Sequence, residues 1–410
     1  MGHNDLILFS LQMCLMLAVA LLFGKLMHKL HQPIVLGELI GGIILGPTVI
    51  GTLAPGTFEW LFPPSGATVV ARDAVLKLGL LFFLFAAGLE VNLAHARKRG
   101  LSIVLTSVLG IAVPFALGFL SVLFFPDLWG ISGKIGRLLF ALLVGTALSI
   151  SALPVIVRIL IDLNLLQKEL GVVIVSSATV NDLIGWSLFA FILSAIVPYG
   201  LPGTSIMMSI ALVIGFLALI LTLGRWLGQR LLNWLQPHLT WSGSFLGAMI
   251  VLMLCVATIA EAVGMHAIFG AFLVGVALAS HYGEQKQSHE VVYRFAISFF
   301  APIYFVSIGL KTNFVANFDL PLVLFILLIS CVGKICGAGL GAWIGGMSKK
   351  DALAVGFGMN ARGMMEMILA SIALEYNLID QRIFVALIMM ALITSMISGP
   401  VLQKLVTKET

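Results

Sequence analysis

The sequence predicts an all-α polytopic membrane protein with about thirteen transmembrane helices. Composition is the first reason: 60% of the 410 residues are hydrophobic and 10% are charged, against roughly 25% charged in an ordinary soluble domain. Hydropathy is the second, with a mean of +1.12. Length is the third, because apolar stretches of about 20 residues recur along the whole chain. A soluble globule of this composition would expose large apolar patches, which soluble proteins avoid. Water-soluble enzymes, nucleic-acid binders and disordered scaffolds are therefore disfavoured. A transmembrane β-barrel needs short alternating segments, and the sequence has none.

The apolar segments span residues 6–27, 33–51, 73–91, 101–125, 136–160, 168–198, 204–226, 240–262, 266–281, 292–311, 320–345, 350–375 and 381–403. Short connections rich in Pro and Gly separate them, as from Gly51 to Gly66 and from Pro198 to Pro202. The first segment lacks a basic start and a small-residue cleavage site, so a retained helix is expected rather than a signal peptide. Cys14, Cys255, Cys331 and Cys336 lie inside apolar segments without metal or pairing spacing and read as small apolar core residues. The eight histidines form no ligand cluster and the 17 methionines read as packing. No phosphate loop, nucleophile triad or zinc spacing is present, so neither an enzyme nor a cofactor is expected.

The net charge of +5 reads as basic cytoplasmic loops rather than a nucleic-acid surface. With the N-terminus outside, inward loops hold fifteen of the 23 basic residues, including Arg97, Lys98, Arg99, Arg225, Arg230, Lys349 and Lys350. Outward loops and adjoining helix ends hold six, and Lys334 and Arg362 remain within apolar segments. This asymmetry predicts N-out and C-in.

An internal repeat is also expected. Segment three ends Gly88-Leu89-Glu90-Val91-Asn92 and segment ten ends Gly309-Leu310-Lys311-Thr312-Asn313. Segment two, from Leu36 to Gly46, resembles segment nine, from Ile268 to Leu278. Segments one to six then pair with eight to thirteen, giving two inverted six-helix repeats. Inverted repeats typify secondary transporters, whose sites lie near the bilayer midplane between halves.

Ionisable residues deep in a membrane helix cost about 2.5–3.5 kcal/mol even on the insertion scale, so each needs a reason. Asp182, mid-segment in Val180-Asn181-Asp182, offers a carboxylate that takes a hard cation or a proton in turn. The alternative is a structural ion pair with Lys334 or Arg362. Asn181 can hold Lys334 or orient Asp182. Segment five carries Ser149-Ile-Ser151-Ala-Leu-Pro154, where the proline interrupts helical hydrogen bonding and Ser149 and Ser151 are candidate oxygen donors. Segment twelve carries Asn360-Ala-Arg362-Gly363-Met-Met-Glu366. There Asn360 and Gly363 suit a second break, while Arg362 and Glu366, four apart, share a face and form a structural clamp. Lys334, flanked by Gly333 and Gly337, is expected to pair with the Asn181-Asp182 region.

These motifs resemble the monovalent cation:proton antiporter superfamily over nearly the whole chain. Gln32 to Pro47 is similar to its second-helix signature, Ala147 to Leu160 to its crossing helix, and Val180-Asn181-Asp182 to its ion-binding motif. Gly333-Lys334-Ile335 and Met359 to Glu366 most resemble the plant cation/proton exchanger branch and its bacterial relatives. The resemblance implies a sodium/proton antiporter fold with crossed broken helices and a homodimer. It implies dimerisation parts at 1–95 and 237–315, core transport parts at 96–200 and 316–410, and a linker helix at 201–236. The core would move as an elevator, exposing Asp182 to each side in turn, with Na+ or K+ and H+ competing for it. Electrogenic sodium antiporters carry two adjacent acids. Here the first is Asn181, so electroneutral exchange is expected. Potassium-efflux relatives carry a cytosolic nucleotide-binding domain that these 410 residues lack, so such gating is not expected.

Other readings are a sodium-coupled organic-anion symporter of similar fold, a non-transporting sensor or scaffold, and a channel. The Asn-Asp and Lys334 pattern disfavours the first, Asp182 the second, and the lack of a selectivity loop the third. Short loops and a missing transit segment favour a bacterial inner membrane as the expected location.

Overall fold

The computed structural model describes residues 2–30, 32–89, 100–130, 136–163, 165, 166, 168–196, 206–227, 230, 244–263, 265–279 and 286–406. The expected Pro198–Pro202 loop, Glu90 to Asn92 at the end of the first repeat copy, and Arg97, Lys98 and Arg99 lie outside these residues.

The described secondary structure is helical. In chain order the main helices are α1 (His3–Lys29), α2 (Ile34–Leu45), α3 (Ala67–Leu89), α4 (Gly100–Phe124), α5 (Arg137–Ser149), α6 (Leu153–Asp162), α7 (Glu169–Ile196) and α8 (Ile206–Leu219). They continue with α9 (Ser244–Ala262), α10 (Ala267–Leu278), α11 (Lys286–Phe295), α12 (Ala301–Leu310), α13 (Leu320–Ile344), α14 (Lys349–Met359), α15 (Met364–Glu375) and α16 (Gln381–Val406). Among the described residues, eight helical stretches are long and apolar enough to cross a membrane, and three shorter apolar helices accompany them. The protein is an integral helical membrane protein.

The chain forms two compact units. The first comprises Met1–Phe23, Gly37–Asn92 and Leu193–Lys311; the second comprises Gly24–Leu36, Leu93–Ile192 and Thr312–Thr410.

In the first unit, α2 crosses α12 and α3 crosses α10 at glycines. A Cβ on Gly42 would collide with the Val306 carbonyl, and one on Gly309 with the backbone of Gly42 and Ile43. A Cβ on Gly88 would meet the Phe272 carbonyl, and one on Gly275 the Phe85 carbonyl. Small residues let membrane helices approach this closely, and van der Waals contact then replaces a hydrophobic drive that lipid cannot supply.

In the second unit, α13 packs along α4 and touches α14 and α16. Its contact stripe recurs every four residues as Ser330, Lys334 and Ala338, with Gly333, Gly337 and Gly341 beside it. Lys334 is thereby carried into the interior, at 0% exposure.

One expectation is corrected. Cys14, Cys255 and Cys336 are exposed and Cys331 is half-buried, so the cysteines are not core residues. In a membrane protein the outer surface is as apolar as the interior. A small apolar side chain therefore carries no information about which way it faces.

Candidate functional site: two broken helices and a buried charge cluster

Segment five breaks between α5 and α6. Ile150, Ser151 and Ala152 leave helical geometry, and Pro154 stands in the first turn of α6. Proline is tolerated there because its missing N–H would have had no intrahelical partner. Segment twelve breaks between α14 and α15, with Asn360 as the C-cap of α14 and Gly363 as the N-cap of α15.

The two breaks are joined. The Ala152 amide donates to the Ala361 carbonyl at 3.0 Å, and the Ser151 hydroxyl donates to the Met359 carbonyl at 2.9 Å. The Ser395 hydroxyl of α16 holds the Arg362 carbonyl. The Ser149 hydroxyl instead donates back along its own helix to Thr146, at 2.8 Å. Backbone groups freed by the breaks thus find partners inside the protein, which hydrocarbon requires.

The C-terminal end of α5 gathers two cations. Arg362 donates to the carbonyls of Ala147 at 3.3 Å and Leu148 at 2.6 Å, and reaches Ser330 on α13 at 3.3 Å. Lys334 donates to the Ser149 carbonyl and, at 2.9 Å, to the Gly110 carbonyl on α4. Both therefore sit on orphan carbonyls at the negative end of a half-helix, where cations are favoured. Arg362 also meets Glu366 at 3.4 Å, with both side chains buried at 0% and 1% exposure.

Asn181 and Asp182 lie on α7, at 0% and 2% exposure. Assigning the Asn181 amide from its neighbours turns its Oδ1 to Lys334 Nζ at 2.9 Å and its Nδ2 to the carbonyls of Ser107 and Ser177 at 3.1 and 3.2 Å. Lys334 stands in the electrostatic field of Asp182, Glu366 and Arg362. Gly185, one helical turn beyond Asp182, explains how the break reaches this face. A Cβ there would lie 2.6 Å from Ile150 Cγ1.

The ten residues singled out from the sequence therefore fall in the second unit, on or beside the crossing. Pro154 lies at the first turn beyond its break, while Asn360 and Gly363 cap theirs. Sequence reading missed Ser395, the Gly110 carbonyl and the α5 carbonyls. Backbone acceptors carry no residue signature. Gly110 does belong to a legible run of small and hydroxyl residues on α4, with Thr106 and Ser107. No cluster of three or more metal-ligating side chains occurs among the described residues.

The sodium/hydrogen exchanger transmembrane family model matches residues 15–408. The chain belongs to this family, a family of transporters rather than enzymes. The chain is 33% identical over 399 residues to Cation/H(+) antiporter 18 of Arabidopsis thaliana, over 95% of this chain and 48% of that relative. It thus spans about half the length of the plant relatives it matches. It is 31% identical over 414 residues to the Na(+)/H(+) antiporter NhaS4 of Synechocystis sp., over 99% of this chain and 98% of that one. The fold resembles that of the sodium proton antiporter MjNhaP1 from Methanocaldococcus jannaschii, with a TM-score of 0.73 at 15% identity over 98% of this chain and 99% of that one.

Proposed function

We propose that this chain exchanges a monovalent cation, Na+ or K+, for H+ across a membrane, one for one and without net charge movement. The observation that carries the reading is Asp182, 2% exposed and beside two broken helices that a purely structural helix bundle would not need. Family membership supports the same chemistry. A cation or a proton on Asp182 adds the same single charge, so each leaves the cluster of Asp182, Glu366, Lys334 and Arg362 in the same electrostatic state.

Lys334 decides the stoichiometry in this reading. Its ammonium has three donors and finds three acceptors, on Gly110, Ser149 and Asn181. A neutral amine would turn a lone pair towards one of these oxygens. A Lys334 that keeps its proton through the cycle supports electroneutral exchange; one that released it would make exchange electrogenic.

The transport cycle proposed is an elevator, in which the second unit carries Asp182 past the first. The division of the chain into two units supports it: the first unit overlaps most of the expected dimerisation parts and linker and the second most of the core, although Gly24–Leu36, expected in the dimerisation part, group with the second unit. Thirteen crossings in two inverted repeats are part of the reading. A two-fold relating segment two to nine and three to ten would turn the Gly42–Gly309 crossing into the Gly88–Gly275 crossing, and both occur. The protein is proposed to act as a homodimer in a bacterial inner membrane, N-terminus outside and C-terminus cytoplasmic, in pH and salt homeostasis. No resident cofactor takes part.

The test is proton movement in proteoliposomes titrated with Na+, K+ and Li+. Asp182→Asn is expected to keep the fold and abolish exchange; normal exchange in that variant would remove the site. With Na+ as substrate, a K+ diffusion potential set by valinomycin is expected to drive nothing by itself, and voltage-driven exchange would reject the one-for-one stoichiometry. Sodium-dependent uptake of a labelled organic anion would favour the symporter reading instead.

A further inference from the structure

Helix α4 carries a buried proline, Pro114, in its interior. Proline has no N–H, so the carbonyl four residues earlier, that of Gly110, lacks the donor that helical geometry would give it. In hydrocarbon a carbonyl without a donor is costly, and a neighbouring helix must supply one. Lys334 supplies it here, with Nζ donating to the Gly110 oxygen at 2.9 Å. Glycines seat α13 for this contact. A Cβ on Gly333 would lie 2.8 Å from Pro114 Cα, and one on Gly337 would collide with the Leu109 carbonyl. The backbone on either side of Lys334 can therefore rest on α4 at Pro114 and Leu109.

The other contacts of Lys334 come from two further helices. Ser149, the last residue of α5, offers its carbonyl at the first break, and Asn181 of α7 offers its Oδ1 at 2.9 Å. An ammonium has three N–H donors, and these three oxygens take them. The charged groups facing Lys334 are Asp182 of α7, Arg362 at the second break and Glu366 of α15. No ionisable side chain occurs in α4 between Gly100 and Phe124. What α4 gives the ammonium is the carbonyl that Pro114 leaves free.

We propose that Pro114 is a positioning residue for exchange: by withholding an N–H from Gly110 it frees that carbonyl to hold Lys334 as an ammonium while Asp182 trades a proton for a cation. Pro114→Ala restores the N–H. A carbonyl has two lone pairs, but the new bond draws the oxygen along the helix axis and away from Nζ. A cation bound at Asp182 cancels the field of that carboxylate, and Lys334, now less well held, releases its own proton to the medium. One hydrogen bond to a charged group weighs at least about tenfold in that balance, or about one pH unit. The inference rests on the exchange proposed above for Asp182 and adds what sets the number of protons per cation.

The full chain in detergent would be titrated with Na+, and separately with K+, over a pH series. Ion binding would be read by calorimetry and proton release by an indicator dye. Pro114→Ala is expected to begin releasing a second proton per ion at a pH at least about one unit below that of the unaltered protein. Pro114→Gly restores the same N–H and serves if the first variant does not fold. The ester analogue of Pro114→Ala, made by nonsense suppression, has an oxygen in place of the N–H and should behave as the unaltered protein. A proline needed only for the shape of α4 would not be rescued by that analogue. An unshifted onset in folded Pro114→Ala or Pro114→Gly would overturn the inference, and so would an ester analogue that behaves like Pro114→Ala. Should the unaltered protein release a second proton at neutral pH, the one-for-one reading fails, and the shift between it and Pro114→Ala still decides the role of Pro114.

Discussion

Arg362 offers the sharpest test of how the crossing is held. It is wholly buried, sits on the carbonyls of Ala147, Leu148 and Ser330, and faces Glu366 at 3.4 Å. Arg362→Ala strips three carbonyls of a charged donor and takes from the buried Glu366 carboxylate its hydrogen-bonded cation, leaving only the field of Lys334. Breaking a buried pair from one side costs about 3–5 kcal/mol. The reverse change is milder. Glu366→Gln leaves Arg362 with all three carbonyls and an amide oxygen to meet, so its expected cost is about 1 kcal/mol, that of one altered hydrogen bond. The double variant should recover part of the Arg362→Ala loss, with a coupling of about 0.5–3 kcal/mol. The assay is unfolding in mixed micelles titrated with a denaturing detergent, followed by helix content. Equal costs for the two single variants, or a cost below about 1 kcal/mol for Arg362→Ala, would refute the view that Arg362 braces the end of α5.

Two further outcomes are expected. Gly42→Leu drives a side chain into the Val306 backbone, where no rotamer can yield; it should destabilise by at least about 1–3 kcal/mol, read as loss of folded protein by size exclusion. A Gly56→Leu control, with nothing within reach of its Cβ, should not. Exposed Cys14, Cys255 and Cys336 should react in membranes with a lipid-soluble maleimide and resist a charged, impermeant one. Rapid labelling of all three by the charged reagent would contradict their placement in hydrocarbon.

Much of the site was legible because membrane burial makes charge rare. Asp182, Lys334, Arg362 and Glu366 stand out in a chain with 10% charged residues, and each is buried within the second unit. The breaks were legible for a related reason: Pro154 and the Gly363 region are costly inside a helix unless the chain uses them. Their partners were not legible. Arg362 reads as half of an i,i+4 pair, yet two of its four partners are carbonyls more than 200 residues away in sequence, on Ala147 and Leu148. Ser149 and Ser151 look alike in sequence, but one bonds within its own helix and the other spans the crossing.

The sequence by itself determined that this chain lives in a bilayer as helices, which family it resembles and which few charged groups need a reason. Hydrocarbon enforces those features locally, through the cost of each exposed charge and each unpaired backbone group. Only the tertiary structure decided which carbonyls Lys334 and Arg362 hold, which way the cysteines face and where glycines let backbones touch. In lipid the inner and outer faces of a helix are equally apolar, so direction is fixed by close packing between segments far apart in the chain.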